Sequence, residues 1–207
     1  MHSKLIVPEL EAVEIHGMNR GSFLLKSTLA VGAVYGATAV SPFVQRAMAQ
    51  DAMGDLDILN FALTLEFLEA DFYKKGLASN LSAKVKELAE LFGKHESAHV
   101  DALTGTISDL GGTPVKSPTF KFPFTDEASF LELAQTLEDT GVSAYNGASP
   151  MIESKEVLGA AGSIVQIEAR HAAAIRLLRK EMPAPSAFDE SLQKQAVLDA
   201  VEPLIAA

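Results

Sequence analysis

The sequence predicts an all-α protein: a four-helix bundle with one long crossover connection and a short extra helix at the C-terminal end. Apolar residues recur every three or four positions in four long stretches, which is the period of a helix with one buried face. The stretches are separated by segments rich in glycine and proline. The second and fourth stretches each carry a Glu-x-x-His pair on the apolar face, a spacing found in bundles that hold two metal ions.

Composition restricts the possible functions. The chain has 207 residues, of which 48% are hydrophobic, enough for one domain with a large core. It has no cysteine, so disulfides, thiolate metal sites and thiol catalysis are excluded. The formal charge of −10 argues against partners such as nucleic acid or an anionic membrane. A metal would need His, Glu and Asp ligands, which suit iron, manganese or zinc.

Residues 1–49 are predicted to be an export leader that is removed. After Met18, which is an alternative to Met1 as the translation start, come a basic segment, an apolar run (29–40) and Ala-Met-Ala, so cleavage is expected after Ala49. The run is too short to span a bilayer, although a buried helix of the mature domain is an alternative. The segment from Arg20 resembles a twin-arginine export signal, but Gly21 replaces the second arginine, which leaves the Tat and Sec routes open. The predicted domain is 50–207, and its predicted location is the periplasm.

The elements of this domain follow in order. Helix one is expected from Asp55 to Leu77. Helix two should begin after an N-cap at Ser82 and end near Gly111 and Gly112. Helix three should follow a cap at 125–126 and end near residue 150, helix four should run from about 154 to 181, and the short tail helix should cover about 191–205.

Residues 112–126 predict the direction of the helices. This crossover segment contains Pro114, Pro118 and Pro123 and cannot be helical. Fifteen extended residues reach about 50 Å, whereas a 24-residue helix is about 36 Å long. The segment can therefore return to the starting end of helix two, which predicts an up-down-down-up bundle. Three alternating phenylalanines, at 120, 122 and 124, are expected to attach it to the bundle.

One residue pattern is written twice, at a constant offset of 72 positions. Each copy holds a glutamate, a tyrosine seven residues later, and a Glu-x-x-His pair that starts thirty residues after the first glutamate. The copies are Glu66, Tyr73, Glu96, His99 and Glu138, Tyr145, Glu168, His171. Counted from the helix starts, all four glutamates should meet at mid-bundle.

Four buried glutamates predict a metal centre. Without compensation, desolvation and mutual repulsion would raise their pKa values or weaken the fold. Two divalent ions would supply four positive charges at that place. In such a centre Glu96 and Glu168 would bridge the ions, Glu66 and Glu138 would be terminal ligands, and His99 and His171 would each complete one ion. A metal-free, hydrogen-bonded polar core is the alternative.

Three further residues are candidates for catalysis. Tyr73 and Tyr145 are expected to donate hydrogen bonds to carboxylates at the edge of the centre, and core packing with a bonded hydroxyl is the alternative. Glu69 lies on the inward face and has Gly141 as its counterpart, so it is an extra ligand, a proton relay or a gate, or else reaches solvent. His95 is rotated by about 100° from Glu96 and is interpreted as a boundary residue and not a ligand.

The segments LNFALTLEFLEADFY (59–73), LEDTGVSAY (137–145) and IEARHAAAIR (167–176) resemble the bacterial ferritin-like domain proteins of the desiccation-associated type. The resemblance covers about residues 55–180 and implies a ferritin-like bundle, often exported with a twin-arginine-type leader. Rubrerythrin is similar more distantly, although the absence of cysteine excludes its rubredoxin iron centre.

Three functions remain open from the sequence. The first is an exported enzyme with two iron or manganese ions that reduces peroxide or dioxygen with an unknown reductant. The second is an iron-storage protein with ferroxidase activity. The third is a non-catalytic, stress-protective bundle. No nucleic acid and, after leader cleavage, no membrane is expected as a partner, and a homo-oligomer is possible.

Overall fold

The computed structural model describes residues 54–206, and this part of the chain is helical. The described residues form five α-helices and two short 3-10 helices. They contain one isolated β-bridge, between Phe120 and Ile205, and no strand. The helices are α1 (Asp55–Leu77), α2 (Ala83–Asp109), α3 (Glu127–Ala148), α4 (Lys155–Leu178) and α5 (Lys194–Val201), with 3-10 helices at Ser149–Met151 and Glu202–Leu204. The all-α prediction is confirmed. The expected leader and its cleavage site lie outside the described residues.

The N-cap side chains of three helices differ in whether they accept a hydrogen bond from the first turn. Asp126 accepts a hydrogen bond from the Ser129 backbone at 2.8 Å and forms a capping box with it. Ser154 accepts from the backbone of Val157 at 3.2 Å. Ser82 stands at the N-cap position as predicted, but its side chain makes no capping bond.

Contacts between helix starts give the directions of the helices. The Asp55 carboxylate, at the start of α1, accepts hydrogen bonds from the backbones of Glu153 and Ser154 at 2.9 Å, so α1 and α4 start at the same end. The Ser82 backbone, at the start of α2, donates to the Glu127 carboxylate at the start of α3. Helices α2 and α3 therefore run parallel, as the predicted up-down-down-up arrangement requires.

The crossover segment (112–126) runs along α1 from one end of the bundle to the other. The Asn60 side chain accepts from the Val115 backbone at 2.8 Å, and farther along Lys75 donates to the Phe120 carbonyl at 2.6 Å. Phe122 and Phe124 then pack edge-on against Phe72, with ring centroids 5.2 and 5.6 Å apart. These contacts confirm that the phenylalanines attach the segment to the bundle.

The last two elements are shorter than predicted. Helix α4 ends at Leu178, not near 181, because Lys180 adopts a left-handed backbone with φ 62° that closes the helix. Helix α5 covers eight residues and continues as a 3-10 helix, since Pro203 cannot extend an α-helix. Its Val197 and Val201 are buried in the core.

No helix within residues 54–206 combines the length and the apolar character needed to cross a bilayer.

Candidate metal centre

Four glutamates, one from each long helix, meet in the middle of the bundle. The side chains of Glu66, Glu96, Glu138 and Glu168 are completely shielded from solvent. Buried apolar side chains lie one turn away on the same helix faces, such as Leu63 before Glu66 and Phe92 before Glu96. The sequence pattern thus placed all four glutamates in one buried cluster.

His99 faces three of these carboxylates. Its Nδ1 atom lies 3.1 Å from Glu66, 3.0 Å from Glu96 and 3.2 Å from Glu168. One ligand atom from each of these four residues can be chosen so that all lie within 4.8 Å of one another. The four side chains together could hold one metal ion.

His171 faces the other side of the same cluster. Its Nδ1 atom lies 3.0 Å from Glu96 and 3.2 Å from Glu138. With Glu168 these residues form a second group whose ligand atoms lie within 4.8 Å of one another. Glu96 and Glu168 belong to both groups, which is where bridging ligands were predicted.

The tyrosines connect the two halves crosswise. The Tyr73 hydroxyl, on α1, donates to Glu138 on α3, and the Tyr145 hydroxyl, on α3, donates to Glu66 on α1 at 2.5 Å. Each predicted terminal carboxylate is thereby oriented by a phenol from the opposite half. Burial and the neighbouring carboxylates raise the pKa of both tyrosines, which keeps their protons available for these bonds.

Several buried oxygens in the cluster lack a donor. Among residues 54–206, Oε1 of Glu96 and both side-chain oxygens of Glu168 are buried without a hydrogen-bond partner. Oε1 of Glu96 and Oε1 of Glu168 approach histidine Nδ1 atoms at 3.0 and 3.2 Å but lack hydrogen-bond geometry. Unpaired buried carboxylate oxygens are costly, and these belong to the two residues shared by both groups. The donor set of oxygens and imidazole nitrogens therefore fits divalent metal ions.

The charges of the cluster are strongly coupled. Burial raises the pKa of Glu66 to about 8 despite its contact with His99, and burial also raises the pKa of Glu138. Burial acts in the same direction on Glu96, but contacts with His171 and His99 outweigh it and lower its pKa to about 2. Burial alone would lower the pKa of the histidines, yet the carboxylates raise it to about 12 for His99 and about 10 for His171.

Glu69 is buried beside the centre, with 3% of its surface exposed, and does not reach solvent. A β-carbon added to Gly141 would lie 3.2 Å from Oε1 of Glu69 and 3.5 Å from Oε2 of Glu168. The glycine thus leaves space that the Glu69 carboxylate occupies next to a shared ligand. Burial and then the charge of Glu168 raise its pKa, so this carboxyl group favours its protonated form.

His95 has a contact that the sequence did not indicate. Its Nδ1 atom lies 2.9 Å from Nε2 of His171, the nitrogen that points away from the carboxylates. Burial and the neighbouring His171 lower the pKa of His95, which favours a neutral ring. It belongs to neither of the two ligand groups formed by the described residues. The two histidines are 76 positions apart in the sequence, and they meet because of the way α2 and α4 are oriented against each other.

An apolar cavity of about 40 Å³ lies between the helices on the Tyr145 side of the centre. Its walls are mostly aliphatic side chains, among them Leu59, Ala62, Leu103 and Ile164. A water molecule needs roughly 10–15 Å³ and two to four polar partners, so the cavity has room for water but few groups to bind it. Tyr145 joins cavity and centre, since its ring lines the cavity and its hydroxyl contacts Glu66.

One known protein is similar to this chain in sequence, and one solved structure is similar in fold. Protein rds1 of Schizosaccharomyces pombe is 24% identical over 151 residues, which cover 73% of this chain and 36% of that protein, so the chain spans little more than a third of its relative. The crystal structure of a conserved hypothetical protein, rv2844, from Mycobacterium tuberculosis superimposes with a TM-score of 0.55 at 22% identity. That match covers 65% of this chain and 96% of the other, and at such identity it shows the fold alone.

A family model described as a ferritin-like domain matches residues 54–181. The matched region is more than half of the chain, includes all four long helices and contains the six candidate ligands. The chain therefore belongs to the ferritin-like domain family.

Proposed function

We propose that this protein is an exported dimetal oxidoreductase that reduces dioxygen or peroxide and so protects against oxidative stress. The observation that carries the proposal is the pair of overlapping ligand groups that share Glu96 and Glu168. A single ion would leave one histidine and one terminal glutamate without a role, whereas two ions use all six side chains.

The proposed ligands divide between two positions. Glu66 and His99 would hold one ion, Glu138 and His171 the other, and the two shared glutamates both. Two iron or manganese ions, when bound, would supply one electron each, enough to reduce dioxygen to hydrogen peroxide, or hydrogen peroxide to two molecules of water, with two protons. An external electron donor would restore the reduced state.

The chain itself would orient ligands and supply a proton. Tyr73 and Tyr145 fix the terminal carboxylates through their hydroxyl hydrogen bonds. Glu69, whose pKa burial and then the charge of Glu168 raise, would hold a proton on a carboxyl oxygen beside Glu168. A positioned acid of this kind contributes about 10²–10⁴-fold to a rate that depends on proton transfer.

The cavity favours dioxygen over peroxide as the oxidant. An apolar space dissolves an apolar diatomic molecule readily, whereas hydrogen peroxide would lose its hydrogen bonds to water there. Because Tyr145 separates cavity and centre, a molecule held in the cavity lies one side chain away from Glu66.

The proposal is tested by metal analysis combined with oxygen consumption. Protein prepared anaerobically with ferrous iron or manganese should contain two ions per chain and consume dioxygen when a reductant is added. Glu168→Gln should lose both ions and the activity, because this carboxylate would serve both positions. Glu87→Gln, on the exposed face of α2, is the matched control and should behave like the wild type.

Metal-free protein that folds as well with added iron or manganese as without it would contradict the proposal and favour the non-catalytic bundle. Two bound ions with no turnover of dioxygen or peroxide would refute the redox part alone. Export is proposed from the sequence of residues 18–49, and recovery of a periplasmic protein that begins at Gln50 tests it separately.

A further inference from the structure

The two candidate histidines have different surroundings. The side chain of His171 is 2% exposed and that of His99 is 12% exposed. One face of the His171 ring packs against Phe92, with centroids 3.8 Å apart and planes 24° from parallel. The Glu138–His171 position is therefore the more enclosed of the two.

His95 contacts the edge of the His171 ring that points away from the carboxylates. The rings of His95 and His171 lie within 10° of parallel, their centroids are 5.2 Å apart, and a nitrogen of each ring approaches the other at 2.9 Å. Nearly parallel planes with so short a contact describe two rings joined edge to edge by a hydrogen bond. This contact fixes the orientation of the His171 ring about its Cβ–Cγ bond.

Metal binding by His171 through Nδ1 would define where the proton of this contact lies. If Nδ1 binds a metal ion, the neutral ring carries its proton on Nε2, which then donates to Nδ1 of His95. A hydrogen-bonded second nitrogen orients a histidine ligand and increases its basicity. A His95 ring that accepts at Nδ1 would thus support the form of His171 that binds metal through its own Nδ1.

The other copy of the ligand pattern has no histidine at the position that corresponds to His95. The residue 72 positions after His95 is Ile167, whose side chain has no polar atom. His99 therefore receives no equivalent support from the corresponding place on α4. The candidate ligands are therefore arranged symmetrically, but only His171 has a histidine at the corresponding neighbouring position.

We propose that His95 is a positioning residue that makes the two metal positions unequal, so that the Glu138–His171 position binds its ion more tightly than the Glu66–His99 position. This inference rests on the proposed binding of two ions and not on turnover. Loss of an outer partner of a histidine ligand typically weakens metal binding by about 10–100-fold. His95→Phe should weaken one binding step by that factor and leave the other within about 3-fold.

Three forms of the full chain test this proposal: the wild type, His95→Phe and His95→Asn. Phenylalanine keeps a flat ring in the space and excludes water but cannot accept a hydrogen bond. Asparagine places an oxygen near the position of Nδ1 and should restore most of the affinity. Anaerobic titration of metal-free protein with manganese gives the two binding steps, and anomalous scattering from crystals at sub-saturating manganese shows which position each step fills.

The expected result is early filling of the Glu138–His171 position in the wild type, its selective loss in His95→Phe and its recovery in His95→Asn. Equal weakening of both steps, or no change in either, would overturn the inference while the two-ion centre stands. Wild-type protein that binds no manganese and no ferrous iron would overturn both the inference and the proposed function.

Discussion

At the scale of single residues, Glu69 is the side chain in which the two halves of the centre differ most. It is buried, favours its protonated form and lies beside a shared ligand candidate. These properties are those of a proton donor and not of a surface charge.

Glu69→Gln should reduce the rate of oxidant reduction by about 10²–10⁴-fold, because the amide cannot supply a proton. Metal content and the unfolding midpoint should change little, since glutamine has nearly the same shape and burial raises the pKa of the carboxyl group that it replaces. Single-turnover oxidation of the iron-loaded protein measures the rate, and elemental analysis measures the metal. Loss of one ion in this variant would instead identify Glu69 as a ligand.

Gly141 permits a second test of the same space. In Gly141→Ala the new β-carbon would lie 3.2 Å from Glu69 Oε1, so this carboxylate must move by a few tenths of an ångström. We expect full metal occupancy and a rate loss below the roughly 100-fold that a 1 Å misplacement can cause. Gly141→Glu should block the space and abolish turnover while the bundle still folds. Unchanged turnover of metal-loaded Gly141→Glu protein would show that the reactive face lies elsewhere.

At the scale of elements, the C-terminal segment depends on one close backbone approach. A β-carbon on Gly147 of α3 would lie 1.8 Å from the carbonyl oxygen of Leu192, which is far below any tolerated contact. The backbone of Leu192 also donates to the Ser143 carbonyl at 3.0 Å, so the segment before α5 lies directly on α3.

Gly147→Ala should therefore displace the segment that leads to α5 and expose Val197 and Val201. We expect destabilisation of about 1–3 kcal/mol, as for other overpacked contacts, and faster proteolysis between α4 and α5. Limited proteolysis and urea unfolding measure the two effects. Gly159→Ala, on α4, where a β-carbon would meet nothing within 4 Å, is the control and should match or exceed wild-type stability.

At the scale of the whole molecule, the buried charges link folding to pH and to metal. In metal-free protein the pKa of Glu66 is raised from its ordinary 4.5 to about 8, so the folded state keeps a proton that the unfolded state releases. Stability must then fall as pH rises through that window. The raised pKa values of His99 and His171 act in the same direction above pH 6.5, since the stability they add is lost as pH rises toward 10–12.

Metal-free protein should accordingly be more stable near pH 5 than near pH 8. Bound manganese should reverse this order, because ligands must be deprotonated to hold the ion and metal affinity rises with pH. Urea unfolding at both pH values, with chelator and with manganese, measures the reversal. Glu66→Gln should flatten the dependence of the metal-free protein. Stability of the metal-free wild type that rises from pH 5 to pH 8 would contradict this account.

The sequence by itself determined the bundle and the ligand candidates. Helical periodicity is local, so the repeated spacing of Glu66, Glu96, His99 and their counterparts fixes which faces point inward, and proline and glycine mark where helices end. The length of the crossover segment then restricted the direction of α3. Comparison with the structure shows no large error in these elements, apart from the lengths of α4 and α5.

Only the tertiary structure decided the contacts between side chains from different helices. The crosswise bonds of Tyr73 and Tyr145, the support of His171 by His95 and the approach of Leu192 to Gly147 join residues 45 to 79 positions apart. Such contacts depend on how far each helix rotates and slides against its neighbours, which apolar periodicity fixes only to within the width of a buried face. For this reason the sequence could identify the ligands of a symmetric centre, but not the asymmetry that His95 gives it.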